Sequence, residues 1–487
     1  MTSPRLTPET PRRRPFPLGK RLLFVILTVG FVAVVTGPAY SAGLAAVVLP
    51  FALAIALQFL PYFWSDETDP FEPAATLGLY SALALVSTLS VIVLNERVQV
   101  QWLPGLSPSA LEDLVATVGW AYVVGAISYY VGYYAAVGRR FVPWFPNLQG
   151  VEWSPPRLAV GLGLLAAIAV PTYAIFQGRV GGSLTDVTNL AAAKSAIQDD
   201  PTETWITRGI LLGLLPPMIY LAWVATKSKR TSQLVLAWFL VAFAALLIVR
   251  TSQRGVAIFF ILTCLAIFHY LRRRIPTALV VSGVFIALVG SNILLDFRRT
   301  DVEVRGSSVT SQRFQPTEAL EEHEKDRNRL STLCVVFHTF PDRHDYLLGE
   351  SWLALASAPI PRWLWPNKKY SFVWRETYMM VHLRGKQVPV PYVALLYANF
   401  SWVGIVLGMV MSGVFHRALY DWMRQSGKDK SVVLIYANLM LVASPTLFAL
   451  QNVIQYALPL YIFIRLVGMR VPASKVAPAL RARPEAS

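Results

Sequence analysis

The sequence predicts an all-α polytopic membrane protein, with about twelve transmembrane helices and one large hydrophilic loop near its C-terminal end. Three observations predict it. Hydrophobic residues make up 55% of the 487 and charged residues only 15%, too little polar surface for a soluble chain of this length. The apolar residues fall into runs of about 18–22, the length a helix needs to cross roughly 30 Å of hydrocarbon. Basic residues cluster just outside those runs, as the positive-inside rule requires. The net charge of +16 is therefore a property of the loops. No Lys/Arg-rich stretch is large enough to form a nucleic-acid-binding module, so no nucleic-acid partner is expected.

Each element follows in order. Residues 1–21 form a basic tail with Arg12-Arg13-Arg14 and Lys20-Arg21. Residues 22–294 hold nine apolar spans, near 22–37, 43–62, 74–94, 115–136, 158–176, 208–226, 232–249, 255–271 and 277–294. A loop covers 295–392, spans near 393–415, 431–447 and 453–469 follow, and residues 470–487 form a second basic tail. The first span also reads as a cleaved signal peptide, because Pro38-Ala39-Tyr40-Ser41-Ala42 resembles a cleavage site. With twelve spans and the N-terminus inside, Arg139-Arg140, Lys227 to Arg230, Arg272-Arg273-Arg274, Arg417 to Lys430 and the C-terminal tail all fall on the cytoplasmic side. Both termini are then cytoplasmic, and the segments near 95–114, 177–207 and 295–392 lie outside.

The loop 295–392 is long enough to suggest function rather than connection. It holds four of the six histidines, His323, His338, His344 and His382. Thr317 after Pro316 reads as a helix start. Leu330, Leu333, Phe337 and Phe340 recur at three- and four-residue spacing, an apolar face for the bilayer surface or for the helix bundle.

Ionisable residues avoid the middles of the spans, which counts against an ion-coupled transporter. Polar residues gather at the expected outer ends. Arg250-Thr251-Ser252-Gln253-Arg254-Gly255 forms a tight turn there, against the charge rule. Thr251 or Ser252 can cap the next helix, and two guanidinium groups beside a helix start suit a diphosphate. Anchoring to lipid headgroups explains the same residues. Arg298-Arg299 after the ninth span offers a second phosphate contact, or a bridge to Asp296 or Asp301. Cys334 and His338, four apart, share a helix face, but their apolar surroundings disfavour a thiolate nucleophile. The run Asp342-Arg343-His344-Asp345 can hold a base or form a solvated turn. The two cysteines, Cys264 and Cys334, give neither a disulfide framework nor metal-ligand spacing, and neither metal nor cofactor is expected.

The most specific text lies in and after the loop. Leu348-Gly349-Glu350-Ser351 leads to Ile360-Pro361-Arg362-Trp363-Leu364-Trp365-Pro366-Asn367-Lys368, and Leu396-Tyr397-Ala398-Asn399-Phe400-Ser401-Trp402-Val403-Gly404 follows. With Ser252-Gln253-Arg254-Gly255, these segments resemble the oligosaccharide repeat unit polymerase family, the Wzy-type O-antigen polymerases. Three positions depart from the family pattern: Gln253 where a small residue is common, Ser401 where glycine is usual, and Lys369 in place of a proline. The layout covers most of the chain, and the motifs about sixty residues.

The resemblance implies a multi-pass, metal-independent glycosyltransferase of GT-C-like fold in the bacterial cytoplasmic membrane. It would act outside the membrane on undecaprenyl-diphosphate-linked oligosaccharides, alongside a flippase and a chain-length regulator. Stabilising charge on a departing diphosphate requires preorganised cations, and activating a hydroxyl requires one base. The residues expected to bind phosphate are Arg254, Arg362 and Lys368, with Arg250 and Arg298 behind them. The candidate bases are His344, Glu350 and Glu376. Trp363, Trp365, Tyr370 and Trp374 can stack on sugar rings or anchor the loop at the membrane interface. Two other classes stay open: an O-antigen ligase-type transferase, and a flippase or transporter, which would show internal repeats or broken-helix pairs.

Overall fold

A computed structural model describes residues 18–41, 43–64, 69–94, 103, 105–180, 209–228, 230–250, 254–283, 329–350, 365, 391–442 and 457–470. These residues are mostly helical. The helices are α1 (Leu18–Ser41), α2 (Ala45–Gln58), α3 (Leu60–Trp64), α4 (Pro73–Leu94), α5 (Pro108–Tyr134), α6 (Pro155–Val180), α7 (Leu215–Lys227), α8 (Thr231–Arg250), α9 (Arg254–Leu271), α10 (Arg329–Thr339), α11 (Tyr392–Gln425), α12 (Lys430–Val442) and α13 (Leu458–Val467). A 3₁₀ turn, Ala136–Trp144, follows α5. Strands β1 (Val151–Trp153) and β2 (Gly468–Arg470) pair antiparallel, with Glu152 opposite Met469.

Among the described residues, five helices are long and apolar enough to cross a membrane: Pro108–Tyr134, Pro155–Gly178, Gly209–Lys227, Thr231–Val249 and Tyr392–Gln425. Shorter apolar helices match the other expected spans in part, including Leu22–Gly37, Ala45–Gln58, Pro73–Val86 and Val256–Leu271. This is the pattern of an all-α membrane protein. The expected helix start at Thr317 lies outside the described residues, as do most of the loop 295–392 and the C-terminal tail.

Local chemistry sets the helix ends. Ser107 caps α5, its hydroxyl oxygen accepting from the Ala110 amide at 3.2 Å, and Pro108 supplies a first residue that needs no hydrogen-bond partner. Before α4, the Asp69 carboxylate accepts from the Phe71 amide at 3.0 Å and forms a tight turn.

The helices pack around two apolar cores. One joins α2, α4, α5, α10 and the first part of α11, with Phe51, Val118, Leu333 and Leu396 inside it. The other joins α6, α7, α8, α9, α12 and α13 with the last turns of α11, around Ile219, Ile267, Leu419 and Tyr436. Helix α11 therefore runs through both. It crosses α5 closely because neither helix carries a side chain at the crossing. A Cβ on Gly132 would lie 2.1 Å from the Val410 carbonyl oxygen, and one on Gly413 2.2 Å from that of Tyr129. Helices α6 and α8 turn apolar residues outward, among them Val160, Leu164, Val235 and Phe239, as lipid-facing helices do.

The face formed by Leu330, Leu333, Phe337 and Phe340 packs into the first core against α5 and α11. Of the two surfaces open to that stripe, the helix bundle takes it.

Candidate functional site: a broken helix and the turn docked on it

Helix α11 is interrupted at Phe400 (φ −144°, ψ 25°) and Ser401 (φ 58°, ψ −149°). The second pair of angles lies in a region adopted almost only by glycine. The break takes the carbonyls of Ala398 and Asn399 out of the helical ladder, so they need other donors. A turn within the loop 295–392 provides them. The Leu347 amide donates to the Ala398 oxygen at 2.9 Å, and the Leu348 amide to the Asn399 oxygen at 3.1 Å. The Gly349 amide donates to Asn399 Oδ1 at 3.0 Å, and the Glu350 amide closes the turn on the Leu347 oxygen at 2.8 Å. Leu348 (φ 45°) and Gly349 (φ 91°) are both left-handed here, which aims successive amides in one direction.

Aromatic side chains back the joint. Phe337 of α10 stacks on Tyr397 with ring centroids 3.9 Å apart, and Tyr346 and Trp402 meet Tyr397 edge-on at 6.0 and 6.3 Å. The Tyr397 hydroxyl donates to the Phe340 oxygen at 3.4 Å. Cys334 is fully buried in the core behind these rings, a setting that favours an inert thiol over a nucleophile.

The candidate residues divide as follows. His344 and Glu350 are exposed on the same docked segment, 340–350. Arg250 ends α8 and Arg254 opens α9, as the turn between them requires, but their side chains lie outside the described residues. Arg298, Arg362, Lys368 and Glu376 lie outside them altogether, with Thr251, Ser252, Trp363, Tyr370 and Trp374; Trp365 is described and exposed. Among the described residues, no group of three or more His, Cys, Asp or Glu side chains could hold a metal ion.

The opposite end of the bundle holds a polar network that sequence reasoning missed. The Asp69 carboxylate accepts from the hydroxyls of Tyr270 (2.8 Å) and Tyr420 (3.2 Å) and faces His269 Nε2 at 3.6 Å. The Tyr436 hydroxyl donates to the Phe71 oxygen at 2.6 Å. Three residues after Asp69, Glu72 accepts from the Tyr133 hydroxyl at 2.7 Å and sits 3.9 Å from Arg417. Arg417 in turn donates to Asp421 at 3.0 Å, with Arg139 at 3.7 Å on the same carboxylate. Burial pushes the Glu72 carboxyl above its ordinary range, while the Tyr133 hydroxyl and the Arg417 guanidinium pull it back. The turn 69–72 thus ties the start of α4 to the ends of α5, α9 and α11 and to α12. Because α9 and α11 end together here, Arg254 and Tyr392 open those helices toward the other end, where the broken half of α11 lies. The available signal was the pair Asp69 and Glu72 in a segment expected to lie on the basic face.

No protein-family model, curated protein or solved structure matches this chain.

Proposed function

We propose that this chain is a polymerase of lipid-linked oligosaccharide repeat units in a bacterial cytoplasmic membrane. It would move the growing glycan from undecaprenyl diphosphate to the next undecaprenyl-diphosphate-linked unit. The architecture proposed with it is GT-C-like, with twelve spans, both termini cytoplasmic and the loop 295–392 outside. The observation that carries the proposal is the joint between the turn Leu347–Glu350 and the helix break at Phe400–Ser401. Two segments that carry the resemblance to repeat unit polymerases, fifty residues apart, form one hydrogen-bonded unit, with two of the three candidate bases exposed on it. The proposed orientation rests on the charge rule already applied to the sequence. The ends of α5, α9 and α11 gather where Arg139, Arg272, Arg424 and Lys428 also lie, and the positive-inside rule assigns that end to the cytoplasm.

The chemistry needs little else. An acceptor hydroxyl attacks the anomeric carbon of the donor sugar. The bond from that carbon to the diphosphate oxygen breaks, and its electron pair leaves with undecaprenyl diphosphate. The hydroxyl proton passes to the base, His344, Glu350 or Glu376. Arg254, Arg362 and Lys368, with Arg250 and Arg298 behind them, offset the charge on the leaving group. A flippase would deliver the lipid-linked units, and a chain-length regulator would act beside the enzyme.

The test is the length of surface glycan in a strain lacking this protein. A polymerase predicts loss of long chains with single units retained. Loss of all surface units would favour a ligase-type transferase or a flippase and contradict the proposal.

A further inference from the structure

We infer that Asn399 is a positioning residue, whose carboxamide holds Gly349, and through it Glu350, against the broken helix. This deepens the transferase proposal and rests on it. Asn399 is fully buried, and both ends of its carboxamide are engaged. Nδ2 donates to the Leu395 oxygen at 2.7 Å, and Oδ1 accepts from the Gly349 amide at 3.0 Å. Only the amide end can donate to a carbonyl, so the Leu395 contact fixes which end meets the turn. One side chain therefore joins the last regular part of the first half-helix to the residue before Glu350.

The turn needs such a clasp. Leu348 holds φ 45°, a conformation unfavourable for a residue with a side chain, in a turn that the bond from Glu350 to Leu347 closes. Contacts with α11 therefore help to hold the turn in this shape. Two of its three bonds to α11 are backbone contacts that no side-chain change removes. The third depends on the identity of residue 399. Glu350 follows Gly349 directly, so the bond that holds Gly349 to Asn399 also helps to set where Glu350 stands relative to the break. Displacing a reacting group by about 1 Å can cost on the order of 100-fold in rate.

The experiment uses the full-length protein in lipid nanodiscs with a lipid-linked repeat unit as substrate, and reads two quantities. One is the split between kcat and KM for elongation. The other is the rate of tryptic cleavage after Arg343, which is exposed on the docked segment. Asn399→Leu keeps the branched shape, with somewhat bulkier ends, and removes both bonds. It is expected to lower kcat by at least about 10-fold with KM nearly unchanged, and to speed cleavage by a similar factor. Asn399→Asp keeps the acceptor for Gly349 and is expected to recover most of both. Should Asn399→Leu fail to fold, Gly349→Ala perturbs the same clasp from the turn, at φ 91°, and must show the same pair of effects. Unchanged kcat and cleavage in a folded Asn399→Leu protein would overturn the inference. So would an Asn399→Asp protein as impaired as Asn399→Leu, because the bond within α11 would then be the one that matters. If wild-type protein makes no polymer, the transferase proposal falls with the role assigned to Glu350, while cleavage after Arg343 separately reports whether Asn399 holds the turn.

Discussion

Replacing Ser401 with glycine should make this protein more stable, although it deletes a side chain. Ser401 holds φ 58° and ψ −149° at the break in α11. A residue with a Cβ pays about 1–3 kcal/mol for such a conformation, and glycine almost nothing. Against that, glycine gains freedom in the unfolded chain, worth about 0.5–1 kcal/mol. The Ser401 side chain is half-buried, so its loss forfeits little packing. The expected balance is a gain of about 1 kcal/mol, and of at most roughly 2.5 kcal/mol. Thermal unfolding of the purified protein in one detergent, wild type against Ser401→Gly, measures it as a rise in the midpoint. Ser401→Ala is the control: it removes the hydroxyl but keeps the Cβ, and should show no such rise. An equal rise in both variants would mean that the hydroxyl, not the backbone, is the source. No rise in the glycine variant would refute the strained-break account.

Three other outcomes are expected, two from the polar network at Asp69–Glu72 and one from the proposed function. Tyr436→Phe leaves the buried Phe71 oxygen without its 2.6 Å donor and should destabilise by about 1–3 kcal/mol, read as a lower unfolding midpoint. Glu72 binds its proton more tightly in the folded protein than in the unfolded chain, so its contribution is complete below the ordinary value of 4.5 and is lost as pH rises through the raised one. The wild-type midpoint should fall over that interval, and a Glu72→Gln protein should lack this fall. Arg254→Ala and Arg362→Ala should leave folding and membrane insertion intact while cutting chain elongation by roughly 100-fold or more, seen as single-unit glycan in place of long chains.

Much of the helical framework was legible in the sequence, because spanning helices are written as apolar length. The expected runs at 232–249 and 255–271 correspond to Thr231–Arg250 and Arg254–Leu271. The run ending at 415 fell short of α11, which continues to Gln425. Hydropathy drops there because Arg417 and Asp421 are charged, but the helix persists because each finds the other and further partners at the bundle end. The turn at Asp69–Glu72 was illegible for a related reason: its partners stand as far as 365 positions away in sequence, and no local pattern encodes them. The loop shows a mixed case. The stripe from Leu330 to Phe340 could be read as an apolar helix face, but not which surface would take it. Ser401 stood out as a departure from the pattern that this segment resembles, and its angles at the break are ones that glycine adopts freely. What could not be read was that Leu347 to Gly349 dock there, since two of the three bonds involve only backbone atoms.

The central claim is that this protein joins lipid-linked repeat units, and the most direct test is reconstitution. Purified protein in a bilayer, given one undecaprenyl-diphosphate-linked repeat unit and nothing else, should convert it to a ladder of longer lipid-linked glycans and release undecaprenyl diphosphate. Substrate that remains a single unit in the presence of folded protein would contradict the account.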